Sequence, residues 1–198
     1  MVRQRGLKAC HILGHDYGDT VVQEIMARHN ADQLPFSVQS VCFLNGGLFP
    51  ETHQALLIQK LLLSPLGPLI NKLTSKKQFD KSFSSVFGLE TKPTAQELDD
   101  FWNIIISGNG KHIFHNLMTY INNRREHRER WIAAIADFAG PIALINGSFD
   151  PVSGAHMVVR YKELLGEPSF LKEYKDIGHY PAVEAPEQVA IDYLEFLS

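Results

Sequence analysis

Apolar residues follow two rhythms along this chain, and the switches between them mark its elements. Cys10-His11-Ile12-Leu13 is a short apolar run of strand length. Val21, Val22, Ile25 and Met26 then recur at helical spacing, so a helix is expected from Asp19 to Asn30. Val38 to Asn45 predicts a second strand, closed by Gly46-Gly47. Strand, helix and strand in this order make a βαβ unit, which implies a parallel sheet. From Pro50 to Phe138 the period is helical and strand signal almost disappears. Leu56, Leu57, Ile58, Leu61, Leu62 and Leu63 form one apolar cluster there, and Leu69, Ile70 and Leu73 form a second. Thr94-Ala95-Gln96-Glu97 has the form of a capping box, opening a helix that carries Leu98, Phe101 and Trp102. Further helices are expected from His112 to Asn122 and on to Phe138. Pro141 to Asn146 restores the strand pattern, His156 to Leu165 predicts a helix, and Ser169 to Lys175 is the last strand. Ala185-Pro186-Glu187 starts a closing helix, with Val189, Ile191, Tyr193, Leu194 and Phe196 on or near its apolar face.

The expected fold class is therefore α/β: a parallel sheet interrupted by a helical insertion. Residues 1–48 and 139–198 would form the core and residues 49–138 a helical lid. The 198 residues are enough for one domain with a real core plus such an insertion.

Composition narrows the function classes. A net charge of −3 leaves no electrostatic case for nucleic acid. Cys10 and Cys42 lie in apolar runs and read as buried thiols. No Cys/His cluster has zinc spacing, and His112 and His115 read as solvated helix residues. Neither a metal nor a cofactor is expected. The basic opening residues are not followed by an apolar segment of signal-peptide type, so this chain is cytoplasmic by default. The longest apolar stretch, Ala55 to Ile70, is interrupted by Gln59, Lys60, Ser64 and Pro65. It reads as an amphipathic helix pair, surface-seeking or packed as a lid.

The chemistry centres on Gly14-His15-Asp16-Tyr17-Gly18-Asp19, between the first strand and its helix. Strand, tight turn and helix are the context of a nucleophile elbow, G-x-Nuc-x-G, with Asp16 at the position usually held by Ser. Crowding by the flanking backbone is expected to exclude side chains at Gly14 and Gly18. The N-terminus of the following helix favours a carboxylate at the tip. Asp150 and His179 each follow a strand, where ligand and catalytic groups of open α/β sheets gather. The order Asp16, Asp150, His179 matches nucleophile, acid and histidine in the α/β-hydrolase fold. Each residue alone has a plainer reading. Asp150-Pro151 is a common loop pair, His179 fits a satisfied loop histidine, and Tyr120, Trp102 and Trp131 fit packing. Arg124 to Arg130 mixes signs and reads as a solvated helix face.

The elbow, Asn45-Gly46-Gly47-Leu48-Phe49-Pro50-Glu51-Thr52-His53, Tyr120-Ile121-Asn122 and Ser148-Phe149-Asp150-Pro151-Val152 together resemble the mesoderm-specific transcript-like α/β-hydrolases. These are membrane-associated relatives of epoxide hydrolases and haloalkane dehalogenases. The resemblance runs from about Gly6 onward and implies a partial α/β-hydrolase fold, holding the C-terminal strands and the lid. The family's early strands, with a His-Gly loop that supplies one oxyanion N–H, have no counterpart here. A fragment, a short isoform or an incomplete gene model would each account for that. The backbone N–H of Tyr17 remains as the oxyanion donor, and losing one such donor costs about 10²–10³ in rate. Membrane association and endoplasmic reticulum placement are implied for a longer form.

An Asp nucleophile suits displacement at a saturated carbon, giving an alkyl ester that His179, oriented by Asp150, hydrolyses with water. The resemblance assigns Tyr120 as the acid for an epoxide oxygen. A second lid tyrosine is missing between Asn45 and His115, and Tyr17 replaces the tryptophan that would hold a halide. The expected partner is a small hydrophobic substrate, an epoxide or similar electrophile. The alternative is a non-catalytic relative that binds a lipid or a protein.

Overall fold

The structure, a computed structural model, describes residues 2–198. Its sheet has four strands, β1 (Ala9–His15), β2 (Ser37–Leu44), β3 (Ile142–Gly147) and β4 (Phe170–Tyr174), in that spatial order. All neighbours are parallel, with Leu13 opposite Cys42, Val41 opposite Ile142 and Ala143 opposite Phe170. Successive strand residues point to opposite faces. Val41, Phe43, Ile142 and Leu144 accordingly enter one core and Cys42, Leu44, Ala143 and Ile145 another.

The first core is covered by α1 (Tyr17–Asn30) through Val22 and Met26, and by α9 (Ala155–Leu165) through Met157, Val158 and Tyr161. The helix α8 (Arg128–Ala136) adds Ala134 and Ile135 to it. The second core is covered by α11 (Pro186–Leu197), which follows the short α10 (Pro181–Glu184). Val189, Asp192, Tyr193 and Phe196 recur at helical spacing and turn inward, so Ile191 and Leu194 fall on the opposite side and are exposed. That corrects the apolar face expected for this helix. Its buried polar member, Asp192, accepts from Tyr174 Oη at 2.5 Å and lies 3.3 Å from Lys172 Nζ. Burying each large side chain in these cores contributes roughly 1.5–3 kcal/mol.

Between β2 and β3 the chain is helical: α2 (Leu57–Leu62), α3 (Gly67–Leu73), α4 (Lys76–Ser84), α5 (Ala95–Ile106), α6 (Gly110–Leu117), α7 (Tyr120–Glu126) and then α8. The Thr94–Glu97 capping box forms in both directions at the start of α5. A matching Ser75–Gln78 box opens α4. The single helix expected over residues 112–122 is broken at Met118-Thr119, where Thr119 Oγ1 donates to the carbonyl of Asn116 at 2.7 Å. The break turns Tyr120 inward. A third apolar cluster, Val86, Phe87 and Val152 with Leu56, Phe83 and Tyr180 against it, ties the helical segment to the loops after β3 and β4. Because the strands are parallel, Asp16, Asn45, Asp150 and His179 all follow strands at the same edge of the sheet.

Candidate active site

Asp16 joins β1 to α1 with φ 51° and ψ −110°, a conformation that costs an L-residue about 1–3 kcal/mol. Packing beneath the turn holds it there. A Cβ on Gly14 would stand 2.6 Å from Asp19 Oδ1 and 3.2 Å from the Asp19 Cα, so β1 and α1 approach this closely only over a glycine. Gly18 differs from expectation: nothing lies within 4 Å of where its Cβ would be, because the first turn of α1 faces away from the sheet at that residue. The carbonyl of Asp16 accepts from Asp19 N at 3.2 Å and from Arg124 Nη2 at 3.1 Å.

Asp150 is enclosed, and its carboxylate accepts from five donors. They are Val152 N at 2.8 Å, Ser153 N at 3.1 Å, Ser153 Oγ at 2.7 Å, Asn45 Nδ2 at 3.1 Å and His179 Nδ1 at 2.7 Å. Burial opposes its charge, but the His179 imidazolium and these donors hold the carboxyl below the usual range. Asn45 is itself fixed across the sheet, donating to the carbonyl of Gly147 at 2.8 Å and accepting its N–H at 2.6 Å.

His179 stands between two carboxylates. Its Nδ1 meets Asp150, and its Nε2 lies 3.7 Å from Asp16 Oδ2. Burial would lower its pKa, yet Asp150 and Asp16 outweigh that and push it up to about 10. Asp16 shows the converse. Burial would raise it, but His179 and then Arg124 hold it far below the ordinary carboxylate range. The resting site is thus an imidazolium between two carboxylates. The His179 backbone is anchored by its N–H to the carbonyl of Val86 at 2.8 Å, and its carbonyl accepts from His15 Nε2 at 2.7 Å. Glu184 shapes the same loop by accepting from Gly178 N, Tyr180 N, Gly88 N and Thr91 Oγ1.

The helical segment closes over this edge through α7. Tyr120 Oη donates to Asp16 Oδ1 at 3.3 Å. Burial, then the Asp16 charge, pushes the Tyr120 phenol well up, so it stays protonated. Tyr17 packs on Tyr120 with ring centroids 4.7 Å apart, and Tyr180 packs on His15 and His179. One turn beyond Tyr120, Arg124 donates through Nε to Thr20 Oγ1 at 2.7 Å and stacks over the Tyr120 ring at 4.5 Å. Residues 125–127, 129 and 130 form the exposed face expected of this run, and Arg124 alone departs from it. Arg124 is buried, because α7 lies with this side against the elbow. Asp19, Asn45 and Glu184 were not singled out in the sequence either, although Asn45 stands in the distinctive Asn45–His53 run.

Behind the elbow Asp19 is fully buried, and neither carboxyl oxygen has a hydrogen-bond partner. Burial pushes its pKa well above the ordinary value against the opposing pull of Arg124, so the charged form is disfavoured there. His53, half-buried near Arg124, is lowered to about 4 by burial and by Arg124. Among the described residues no three His, Cys, Asp or Glu side chains gather as metal ligands.

A parallel sheet carrying a strained acidic turn after one strand, with an acid and a histidine after later strands, is the α/β-hydrolase arrangement, and the chain has that fold. It matches an α/β-hydrolase fold protein from Burkholderia ambifaria with a TM-score of 0.74 at 12% identity, over 98% of this chain and 68% of that one. A haloalkane dehalogenase from Bradyrhizobium elkanii matches with a TM-score of 0.72 at 13% identity, over 99% and 69%. Within that fold, the chain is similar to the mesoderm-specific transcript proteins, of which it spans about three fifths. It is 35% identical to the one from Mus musculus across 100% of its own length and 61% of that protein's. The human homologue is likewise 35% identical, with the same coverage. No protein-family model matches the chain.

Proposed function

We propose that this chain carries the reacting groups of a hydrolase acting on a small hydrophobic electrophile of the epoxide type, through an alkyl ester on Asp16. Residues 49–138 serve as its lid, over a core of residues 1–48 and 139–198. One observation carries the reading: the Asp16 carboxylate has Tyr120 Oη at 3.3 Å from one oxygen and His179 Nε2 at 3.7 Å from the other. Acid, nucleophile and imidazole thus share a single carboxylate.

In the first step an Asp16 oxygen attacks a ring carbon of the epoxide. The C–O bond breaks, and the departing oxygen takes the proton of Tyr120. An ionised carboxylate needs no base for this. Against a carbonyl it would give an anhydride, so esters and amides fit less well. Esterification removes the Asp16 charge, one of the two reasons His179 binds its proton so tightly. The imidazole then releases that proton to solvent and accepts one from water, which attacks the ester carbonyl. Asp150 holds the ring in place, and the Tyr17 N–H faces the developing oxyanion. The carbonyl carbon then breaks its bond to the alkyl oxygen, which takes a proton from His179 and leaves as diol; the Asp16 carboxylic acid returns a proton to His179 to become carboxylate, and Tyr120 regains its proton from solvent. Tyr17, Tyr120 and Tyr180 give the site its apolar walls.

Intact-mass spectrometry after incubation with a reactive aryl epoxide tests this. The protein gains the mass of one epoxide, Asp16→Asn does not, and His179→Gln keeps the adduct because hydrolysis of the ester stops. A folded protein that gains no mass refutes the proposal.

A further inference from the structure

The helix α3 is inside out. Leu66, Leu69 and Leu73 form one stripe at helical spacing and are 60%, 54% and 68% exposed. The opposite side, Gly67 and Asn71, is buried, with Asn71 Nδ2 3.4 Å from His115 Nδ1 on α6. A helix in a water-facing segment normally does the reverse. The charge around it is equally one-sided. From Thr52 to Phe79 there is no Asp or Glu, but there are lysines at 60, 72, 76 and 77, in a chain whose net charge is −3. Lys76 is paired with Asp80 and Asp99. Among the described residues Lys60, Lys72 and Lys77 are exposed and make no ion pair. An exposed leucine stripe flanked by unpaired cations is the pattern of a segment lying in a lipid interface, with its leucines among the acyl chains and its lysines at the headgroups. No helix among the described residues is long and apolar enough to cross a membrane. The contact would be peripheral.

We infer that the outer face of α3, with Lys60, Lys72 and Lys77, docks on the surface of a bilayer containing anionic phospholipid. The attraction joins leucine burial to charge complementarity, since each lysine near an anionic surface strengthens binding about fivefold. The α3 helix packs on α6, and α6 leads directly into Tyr120 on α7. Docking therefore brings the bilayer to the part of the molecule that covers Asp16. The inference stands apart from the chemistry assigned to Asp16, because binding is measured without turnover.

The test is co-sedimentation of the full chain with vesicles of phosphatidylcholine alone and of phosphatidylcholine mixed with phosphatidylserine. The protein is expected to pellet with the mixed vesicles and to be released by added salt. The combined Leu66→Ser, Leu69→Ser and Leu73→Ser variant should bind at least about tenfold more weakly. Lys60→Gln, Lys72→Gln and Lys77→Gln together should abolish the preference for phosphatidylserine. These side chains are exposed, so circular dichroism should show both variants folded. Equal sedimentation of wild type and variants overturns the proposal. So does a lipid-free dimer that the leucine substitutions convert to monomer, since a second copy would then cover the stripe.

Discussion

The Arg124 guanidinium donates through Nη2 to the carbonyl oxygen of Asp16 at 3.1 Å and through Nε to Thr20 Oγ1 at 2.7 Å. One buried side chain of α7 thereby holds the strained turn and the helix behind it, while Tyr120 on the same helix reaches the Asp16 carboxylate. The position of the phenol over the carboxylate and the conformation of the turn are set together.

Arg124→Lys should uncouple them. Lysine keeps the charge but lacks the planar fork that reaches two acceptors at once. Adduct formation with an epoxide should slow on the order of 10²-fold, the effect expected of misplacing a reacting group by about 1 Å. The circular dichroism spectrum should be unchanged. Single-turnover mass spectrometry gives the rate, and a rate equal to wild type would show that the clamp has no part in the chemistry.

Tyr120→Phe separates two substrate types. It removes the proton donor and leaves Asp16 in place. Alkylation by an epoxide should drop about 10²–10⁴-fold. Alkylation by an alkyl halide, whose leaving group needs no proton, should change far less. Equal losses with both reagents would mean that Tyr120 acts by packing alone.

His179 makes stability depend on pH on the alkaline side. Its pKa is raised in the folded protein to about 10, against an unfolded value of about 6.5. The folded state therefore holds the proton more tightly. The resulting stabilisation is complete below the unfolded value and is lost as pH rises through about 10. Denaturant midpoints measured from neutral to alkaline pH should fall in wild type and flatten in His179→Gln. In Asp16→Asn the imidazole pKa read by NMR should drop, because one of its two carboxylates is gone.

Asp19 works in the opposite part of the scale. Its folded pKa is raised by burial, so the unfolded chain releases a proton that the folded protein keeps. Its contribution to stability therefore declines as pH rises above the ordinary aspartate value of about 3.9. Asp19→Asn should remove that decline, leaving the variant progressively more stable than wild type between acidic and neutral pH. Paired urea titrations across that range provide the measurement, and parallel curves would show that Asp19 is ionised in the fold.

The sequence by itself determined the elements and their order. Strand and helix periods are local, so β1 to β4, α1, α9 and the Thr94 capping box were legible residue by residue, and Asp16, Asp150 and His179 could be picked out by standing after strands. Only the tertiary structure decided which way the helical segment turns. An arginine in a run of mixed charges looks solvated until the helix is laid against the elbow, and Arg124 is buried there. Leu69 and Leu73 fit a packed lid or a surface-seeking face equally well until Gly67 and Asn71 take the inner side. Asn45 on Asp150, Glu184 on the His179 loop and the buried Asp19 were equally invisible. Arg124 and Asn45 rest on contacts between residues far apart in the chain, and Glu184 joins its own loop to Gly88 and Thr91 far upstream; periodicity records which residues share a face without saying what that face meets.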